Sequence, residues 1–512
     1  MSADDGSRFT LLTAMFEPSP KPVWWLPTFG FFLFLAIEVW MFSGPSRLFE
    51  DPGVGRHLRT SQVILETGQV PKTDPLSFTH AGEPWVDYEW GFEATMGVLY
   101  HFGGLALVGA FCQALFAATL LGVYRTLLQS GLSVSVVLLY TGVAFLTLHL
   151  HFEARPLLFT YLFMALVIEV WRRRAHPLKR DWLFLPLIFA VWANLHAGWA
   201  AALVFLGISL FGRLIDRILG RVDGEEAPLI PWIGLTLLCF LVTWFNPWGW
   251  HLHREVFLFA TSYKSFALWN EFTQPDFAGP GMSALTLLFL LGVVFLTRVR
   301  RGASRWSWEM ILPILFFLYE GLKAQRHVLL LIEVAAVPIG RDLEVLLHGT
   351  WWPWLRGRLK EFQERQRLAG GDAWLALVAA VVIAVLFVRM PEAREITVGK
   401  SVTPKLLAFL RDHPDRLHRP LTTTWNAGPL LWNMRPDFRV SFDDRGDFYG
   451  DKTVFSFVDM YTAAPRWREV FEQGNYDSAI LDRYLPLNQL LLFVPGWKAV
   501  YRDDKTIVYW KD

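Results

Sequence analysis

Asp51, His57, Asp87 and Glu89 are the residues whose types and spacing first point to chemistry. They share one polar stretch, Glu50 to Trp90, which reads EDPGVGRHLRTSQVILETGQVPKTDPLSFTHAGEPWVDYEW. Turn signals punctuate it at Pro52-Gly53, Gly68, Pro71, Asp74-Pro75, Gly82 and Pro84. A long polar loop between apolar segments is usually functional. Asp51 falls just past the end of the first apolar run. A carboxylate at a water–lipid boundary suits a general base that deprotonates a hydroxyl while a second substrate stays anchored in lipid. Asp-Pro-Gly is also a good turn, which is the commoner use of such a triplet. His57 and Arg59 suit phosphate binding or orientation of Asp51, with a solvated loop as the plain alternative. Asp87 and Glu89 flank Tyr88, and offer either a second carboxylate or a cap at the positive end of the next helix.

Further polar groups recur at the ends of later apolar runs. His149, His151, Glu153 and Arg155 stand in HLHFEARP, and Asn194 and His196 in WANLHAG. Asn246, His251 and His253 stand in FNPWGWHLH, and Lys323, Arg326 and His327 in EGLKAQRH. Basic groups gathered there would neutralise a phosphate leaving group. His149, His151 and Glu153 also have a spacing that a divalent metal can use, although structural hydrogen bonds are the commoner role. Glu271, in WNEFTQPDF, lies in a long segment that can reach the same face. Near the C-terminus, FDDRGDFYG groups Asp443, Asp444 and Asp447 around Arg445. It lacks the register and closing Glu of a calcium loop, so a charged turn is the default reading.

The elements that must position these residues are apolar helices. Of 512 residues, 53% are hydrophobic and 19% charged, a balance that indicates a polytopic helical membrane protein. A net charge of +1 gives no general field for nucleic acid, so no such partner is expected. Many of the 25 Trp fall near span ends, where amphipathic rings favour the interface. The 2 Cys, Cys112 and Cys239, lie within apolar runs and say nothing about compartment. No cleavable signal peptide is expected, because the segment before Trp24 is polar and weakly charged. The first span covers Trp24–Phe42, and its Glu38 is expected to be paired or cavity-facing. Ser61–Thr67 and Trp90–Tyr100 read as short interfacial helices. The next spans read as Leu105–Leu127, Leu132–Leu148, Leu157–Trp171, Trp182–Ala193, Trp199–Leu219 and Pro231–Phe245. Met282–Thr297, Trp308–Tyr319, Val328–Leu347 and Trp374–Val388 follow, making about eleven in all. Trp182–Ala193 is short enough to be broken or re-entrant.

Basic residues set the orientation. Clusters at Arg172–Arg180, Arg213–Arg221, Arg298–Arg305 and Arg356–Arg367 fall on one face, which becomes cytoplasmic. Residues 1–23 then form a cytoplasmic tail, 24–388 the membrane module, and 43–104 its first outer loop. Residues 389–512, roughly 120 of them, suffice for a small outer domain. It alternates helical patterns (Pro404–Leu410, Trp467–Gln473) with β-like runs (Arg439–Phe442, Ser478–Leu481, Ala499–Tyr501, Ile507–Trp510), which reads as an α/β domain.

The order of motifs resembles a widespread family of bacterial multi-span proteins belonging to, or akin to, the C-type (GT-C) glycosyltransferases. The resemblance rests on Asp51, Pro52, His57 and Leu58, then on Ile64, Gly68 and Pro71. It continues through Asp74, Pro75, Ser77, Thr79, Pro84, Trp85, Glu89 and Trp90. ARP at Ala154–Pro156, WANLHAG, NPWGW at Asn246–Trp250, Glu271–Phe277 and the Arg326-His327 pair fit as well. In the tail, DDRGDFYG and PGWKAVYRDD complete it. The chain departs from the family's opening pattern at three places. Gly53 stands where a second Asp is usual, and Gly55 and Arg56 stand where two Trp are usual.

The resemblance implies a multi-pass protein of the bacterial inner membrane with an outward-facing site. Such enzymes move a sugar from a polyprenyl-phosphate carrier to a lipid, glycan or protein acceptor. Asp51 and Glu89 are then the expected catalytic carboxylates. His57, His196, Arg326 and His327 are expected to bind the donor phosphate, and Asp87, Asn194 and Glu271 to orient the acceptor. Some family members use a divalent metal. Membrane lipids and the lipid-linked sugar are the expected partners, with a protein partner conceivable through 389–512. The rival expectation is a catalytically inactive subunit or scaffold of a membrane assembly, which Gly53 and the altered Trp positions favour.

Overall fold

The computed structural model describes residues 23–40, 44–173, 176–221, 228–279, 281–299, 306–348, 361–366 and 368–512. The expected tail 1–22 and the basic clusters at Arg300–Arg305 and Arg356–Lys360 lie outside them.

Apolar runs become helices close to where hydropathy places them. They are α1 (Phe29–Trp40), α2 (Gly53–Thr67), α3 (Trp90–Gln129), α4 (Val134–Leu148), α5 (Leu157–Arg173), α6 (Asp181–Trp192) and α7 (Trp199–Ile218). Next come α8 (Leu229–Val242), α9 (Trp250–Thr261), α10 (Met282–Val299), α11 (Trp308–Lys323), α12 (Val328–His348) and α13 (Asp372–Val388). Among the described residues, α3, α7 and α10 are both long and apolar enough to cross a membrane, and α1, α4, α6, α8 and α13 are shorter apolar helices. Large apolar side chains such as Leu183, Ile230 and Phe295 stand exposed on the outside of this bundle. One continuous apolar core joins its interior.

Helix α3 holds two segments. Gly103 and Gly104 break its regular dihedrals, with Gly104 at φ 62°, ψ −161°, a region open in practice to glycine alone. The break falls between the expected interfacial helix Trp90–Tyr100 and the expected span from Leu105. Helix α2 begins at Gly53 rather than Ser61, and ends at left-handed Gly68, whose N–H bonds the Ile64 carbonyl at 2.8 Å. The stretch expected as a loop between Phe245 and Met282 holds helix α9. Glu38, expected to be paired or cavity-facing, is fully buried in α1, and among the described residues neither of its carboxyl oxygens has a hydrogen-bond partner.

After α13 the chain forms α14 (Pro404–Arg411), β1 (Pro420–Leu421), α15 (Thr424–Asn433), α16 (Gly446–Tyr461), α17 (Trp467–Gln473), β2 (Ser478–Asp482), α18 (Leu487–Leu491), β3 (Trp497–Arg502) and β4 (Thr506–Lys511). The sheet order is β1-β2-β4-β3, with β1 parallel to β2 and the other pairs antiparallel. Strand alternation sends Leu481, Ile507 and Tyr509 to one apolar layer, and Ile480, Val508 and Trp510 to the other. The expected strand Arg439–Phe442 does not join this sheet. Its Val440 pairs instead with the first polar loop: Val440 N–H donates to the Leu76 carbonyl at 3.1 Å, and Phe78 N–H to the Val440 carbonyl at 3.0 Å. The backbone bonds of that run are thus used to hold the C-terminal domain onto the loop.

Candidate active site

A cavity of about 1090 Å³ opens where the helix ends meet the C-terminal domain. Four connections between helices reach it: Arg155 from α4–α5, His196 from α6–α7, Glu271 from α9–α10 and Arg326 from α11–α12. Arg56 and His57 from α2, Asp87 and Glu89 ahead of α3, and Asp444 and Asp447 from the C-terminal domain add to the same wall. Apolar side chains line the cavity as well, among them Val204, Val256, Phe259, Phe316, Phe317 and Leu330.

Two guanidinium groups organise the polar wall. Arg155 Nη2 donates to Asp51 Oδ2 at 2.5 Å and Nη1 to Glu271 Oε2 at 2.9 Å, while Nε lies 3.3 Å from Glu153 Oε2. Asp51 Oδ1 also accepts the Gly53 N–H at 2.8 Å. Asp51 is therefore capped and paired, and it does not line the cavity. Burial pushes its carboxyl up, against the pull of Arg155. Burial also acts on Glu271, but Arg326 and Arg155 outweigh it and bring this carboxyl down to about 2. Arg326 meets Glu271 Oε1 at only 3.4 Å and stacks over Phe272 at 4.4 Å.

The second group is Arg56. Its Nε donates to Asp444 Oδ1 at 2.9 Å and Nη1 to Glu93 Oε1 at 3.1 Å, while Nη2 lies 3.5 Å from Glu89 Oε2. Arg56 Nη2 also lies 3.2 Å from His57 Nε2, which must then be the acceptor. His57 Nδ1 therefore carries the proton toward Glu93 Oε1 at 2.9 Å. Burial and the adjacent Arg56 hold His57 well below the usual imidazole range, so it is neutral. Asp87 accepts the Glu89 N–H at 3.2 Å, and burial pushes both its carboxyl and that of Glu93 up.

Glu89 is held only loosely, with Arg56 at 3.5 Å and His196 at 4.0 Å. Burial pushes it up to about 7; Arg56 opposes this, and Asp87, Asp447 and Asp444 reinforce it. His196 faces it. Thr160 Oγ1 lies 2.7 Å from His196 Nδ1, and Gly198 N–H donates to the same atom at 3.1 Å. The imidazole proton is therefore on Nε2, 4.0 Å from Glu89 Oε1. Burial and Arg326 bring His196 down to about 3 and likewise His327, so both are neutral donors or acceptors.

Asn194 is not at the cavity. Its amide donates to the carbonyls of Ala190 and Phe245 at 2.8 Å, and its oxygen accepts Trp90 Nε1 at 3.0 Å. It ties α6 to the start of α3 rather than orienting a substrate. The expected metal set of His149, His151 and Glu153 also separates. The turn at His149–His151 sends the His149 ring onto Trp40 and Phe152 and the His151 ring toward Tyr161, while Glu153 binds Arg155. Among the described residues no three His, Cys, Asp or Glu side chains are arranged to hold a metal ion. The acids that do converge are already bridged by Arg56 and Arg155, so this donor set does not fit a divalent ion.

Asp444, Asp447 and Arg445 are the residues that sequence reasoning set aside as a charged turn. Asp443 and Arg445 form the clamp of that turn. Arg445 Nη2 donates to Asp443 Oδ2 at 2.6 Å, lies 2.8 Å from Asp74 Oδ1, and its guanidinium stacks on Trp85. Asp444 is thereby turned to Arg56, and Asp447 lines the cavity, where burial pushes its carboxyl up. The available signal was span parity, which already put this turn on the same face as Glu89.

No protein-family model and no curated protein matches the sequence. Solved structures do. The Archaeoglobus fulgidus oligosaccharyltransferase in its apo form aligns over 88% of this chain and 69% of its own, at 11% identity and a TM-score of 0.52. The same protein tethered to an acceptor peptide containing the NVT sequon covers 88% and 68%, again at 11% identity, with a TM-score of 0.54. Its complex with an inhibitory peptide and a dolichol-phosphate covers 88% and 69% at 11% identity, with a TM-score of 0.56. On this likeness, the chain has the fold of the GT-C membrane glycosyltransferases, closed by a small C-terminal sheet domain.

Proposed function

We propose that this protein transfers a sugar from a polyprenyl-phosphate carrier to an acceptor hydroxyl or amide at the outer face of a bacterial inner membrane. The observation that carries the reading is the mixed lining of the cavity, where cations and Glu89, raised to about 7, are joined by apolar residues from several helices. An amphiphile with a phosphate at its polar end matches such a lining. The structural neighbour bound to dolichol-phosphate supports a lipid-linked donor. We read the helical part as about eleven crossings, with the N-terminus cytoplasmic and residues 389–512 outside. The four loops that meet in the cavity alternate along the chain with the basic clusters, which supports that parity.

In this mechanism Glu89, ionised, accepts the proton of the acceptor as its heteroatom attacks the anomeric carbon. The bond from that carbon to the phosphate oxygen breaks on the opposite face, with inversion. The electron pair leaves on the lipid phosphate. Arg326, the less saturated guanidinium, and the His196 Nε2–H neutralise it. Asp51 holds Arg155 and takes no proton. Open space in the cavity also favours an enzyme over the scaffold alternative, in which side chains would fill the site.

The test is single-turnover transfer by the protein in nanodiscs, using polyprenyl-phosphate-linked sugars and following release of polyprenyl phosphate. Release by the wild type with a slow Arg326→Ala variant supports the reading. If the wild type neither binds polyprenyl phosphate nor releases it from any of several sugar donors, the transferase reading is lost.

A further inference from the structure

The three departures from the family's opening pattern all lie at the start of α2, and each meets the C-terminal domain. A Cβ on Gly55 would lie 2.1 Å from the Gly428 carbonyl oxygen, and a Cβ on Gly428 would lie 1.8 Å from the Pro52 carbonyl oxygen. Helices α2 and α15 therefore touch backbone to backbone, at a distance that only glycine permits. A Cβ on Gly53 would lie 2.6 Å from Asp444 Oδ2 and 2.8 Å from Asp51 Oδ1. Arg56, the third departure, is the residue that binds Asp444, at 2.9 Å.

We infer that the C-terminal domain is a fixed wall of the active site, and that Asp444 supplies the carboxylate that position 53 lacks, holding Arg56 in place beside Glu89. This rests on Glu89 being the working base. Gly53 is then no sign of a dead site. The carboxylate comes from the far end of the chain, and residue 53 is small enough to admit it. Neighbouring Asp443 shows the contrast. It is wholly buried and spent on Arg445, whereas Asp444 keeps part of its side chain open and lines the cavity. Asp444 is a positioning residue, acting through Arg56 and through its charge. That charge also favours the protonated form of Glu89.

The experiment compares full-length wild type, Gly53→Asp, Asp444→Asn and the double variant G53D/D444G in nanodiscs. The first readout is the thermal midpoint. G53D forces two carboxylates into the room of one and lowers it, while the double variant regains most of the loss. If the double variant is no more stable than G53D alone, the two positions do not share that space and the inference falls. The second readout is the part of the midpoint-against-pH curve that Glu89→Gln removes, which needs no substrate. In Asp444→Asn its inflection moves to lower pH. If the inflection stays in place, Asp444 is a docking contact only and its positioning role is overturned. Both readouts are independent of sugar transfer, so failure of the transferase reading is recognised separately, by the release assay.

Discussion

The Arg155 and Arg56 nodes are built from the same parts and end differently. Each sets one guanidinium among three carboxylates. Around Arg155, the contacts to Asp51 and Glu271 are short, and Asp51 has a backbone donor besides. Around Arg56, the bonds to Asp444 and Glu93 are short, but Glu89 is held at 3.5 Å. A buried charge whose partners are complete is a fixture. A buried carboxyl with an incomplete partner has its proton affinity raised into the working range. Glu153 is likewise loosely held, at 3.3 Å from Arg155, and raised to about 7, but it does not line the cavity; an incomplete partner together with a place on the cavity wall is what singles out Glu89.

The largest expected effect contrasts the two nodes directly. Glu89→Gln lowers transfer by about 10²–10⁴-fold with the fold intact, since a general base contributes on that order. Asp51→Asn lowers the thermal midpoint and lowers transfer less than Glu89→Gln does. Loss of transfer in Asp51→Asn at an unchanged midpoint, with Glu89→Gln still active, would reverse the assignment of base and fixture. Next is Arg155→Ala, which strands Asp51, Glu271 and Glu153 around a missing cation and costs about 3–5 kcal/mol. Chemical denaturation in detergent measures it, and a loss below 1 kcal/mol would mean that the saturated node is ornamental.

A smaller effect is the pH dependence of stability. Glu89 titrates near 7 in the folded protein, against an ordinary 4.5. The folded state thus holds this proton more tightly than the unfolded chain does. Its contribution to stability is fully present below about pH 4.5 and is lost as pH rises through about 7. Glu153, also raised to about 7, adds a slope of the same sign. The difference in thermal midpoint between wild type and Glu89→Gln, scanned from pH 4 to 8, isolates the Glu89 share; a flat difference would refute it. The smallest effect is Asn194→Ala. It removes the hydrogen bonds joining α6 to α3 and costs about 1–2 kcal/mol, with transfer falling only in step with the folded fraction. A changed acceptor preference in that variant would restore Asn194 to the substrate side.

Helix placement was largely legible because the apolar runs are long and their ends carry Trp, Pro and Gly. The break at Gly103–Gly104 was visible as a change between an amphipathic and an apolar segment. Helix α9 was missed because Asn246, Pro247 and Gly249 lead into it and read as loop. Helix α15 was missed because Gly428 and Pro429 sit inside it. Around the site, Arg155, His196, Glu271 and Arg326, each at the end of an apolar run, line one cavity. What such placement does not carry is which carboxylate is spent. Asp51 carries the family's mark, yet its bond to Arg155 reaches across 104 positions, a pairing that no local pattern announces. Asn194 was misread for a similar reason, since its partner carbonyl at Phe245 belongs to another connection.

The close approach of Gly55 and Gly428 bears on the order in which the protein becomes competent. Arg56 leaves the ribosome 388 residues ahead of Asp444. Segments fold from the N-terminus as they emerge, so the helical bundle forms while the polar wall still lacks its last member. During that interval Arg56 has no Asp444, and the base beside it is not yet set. The polar wall is thus completed only with the final domain: a chain still being made holds the helix ends that line the cavity but not Asp444.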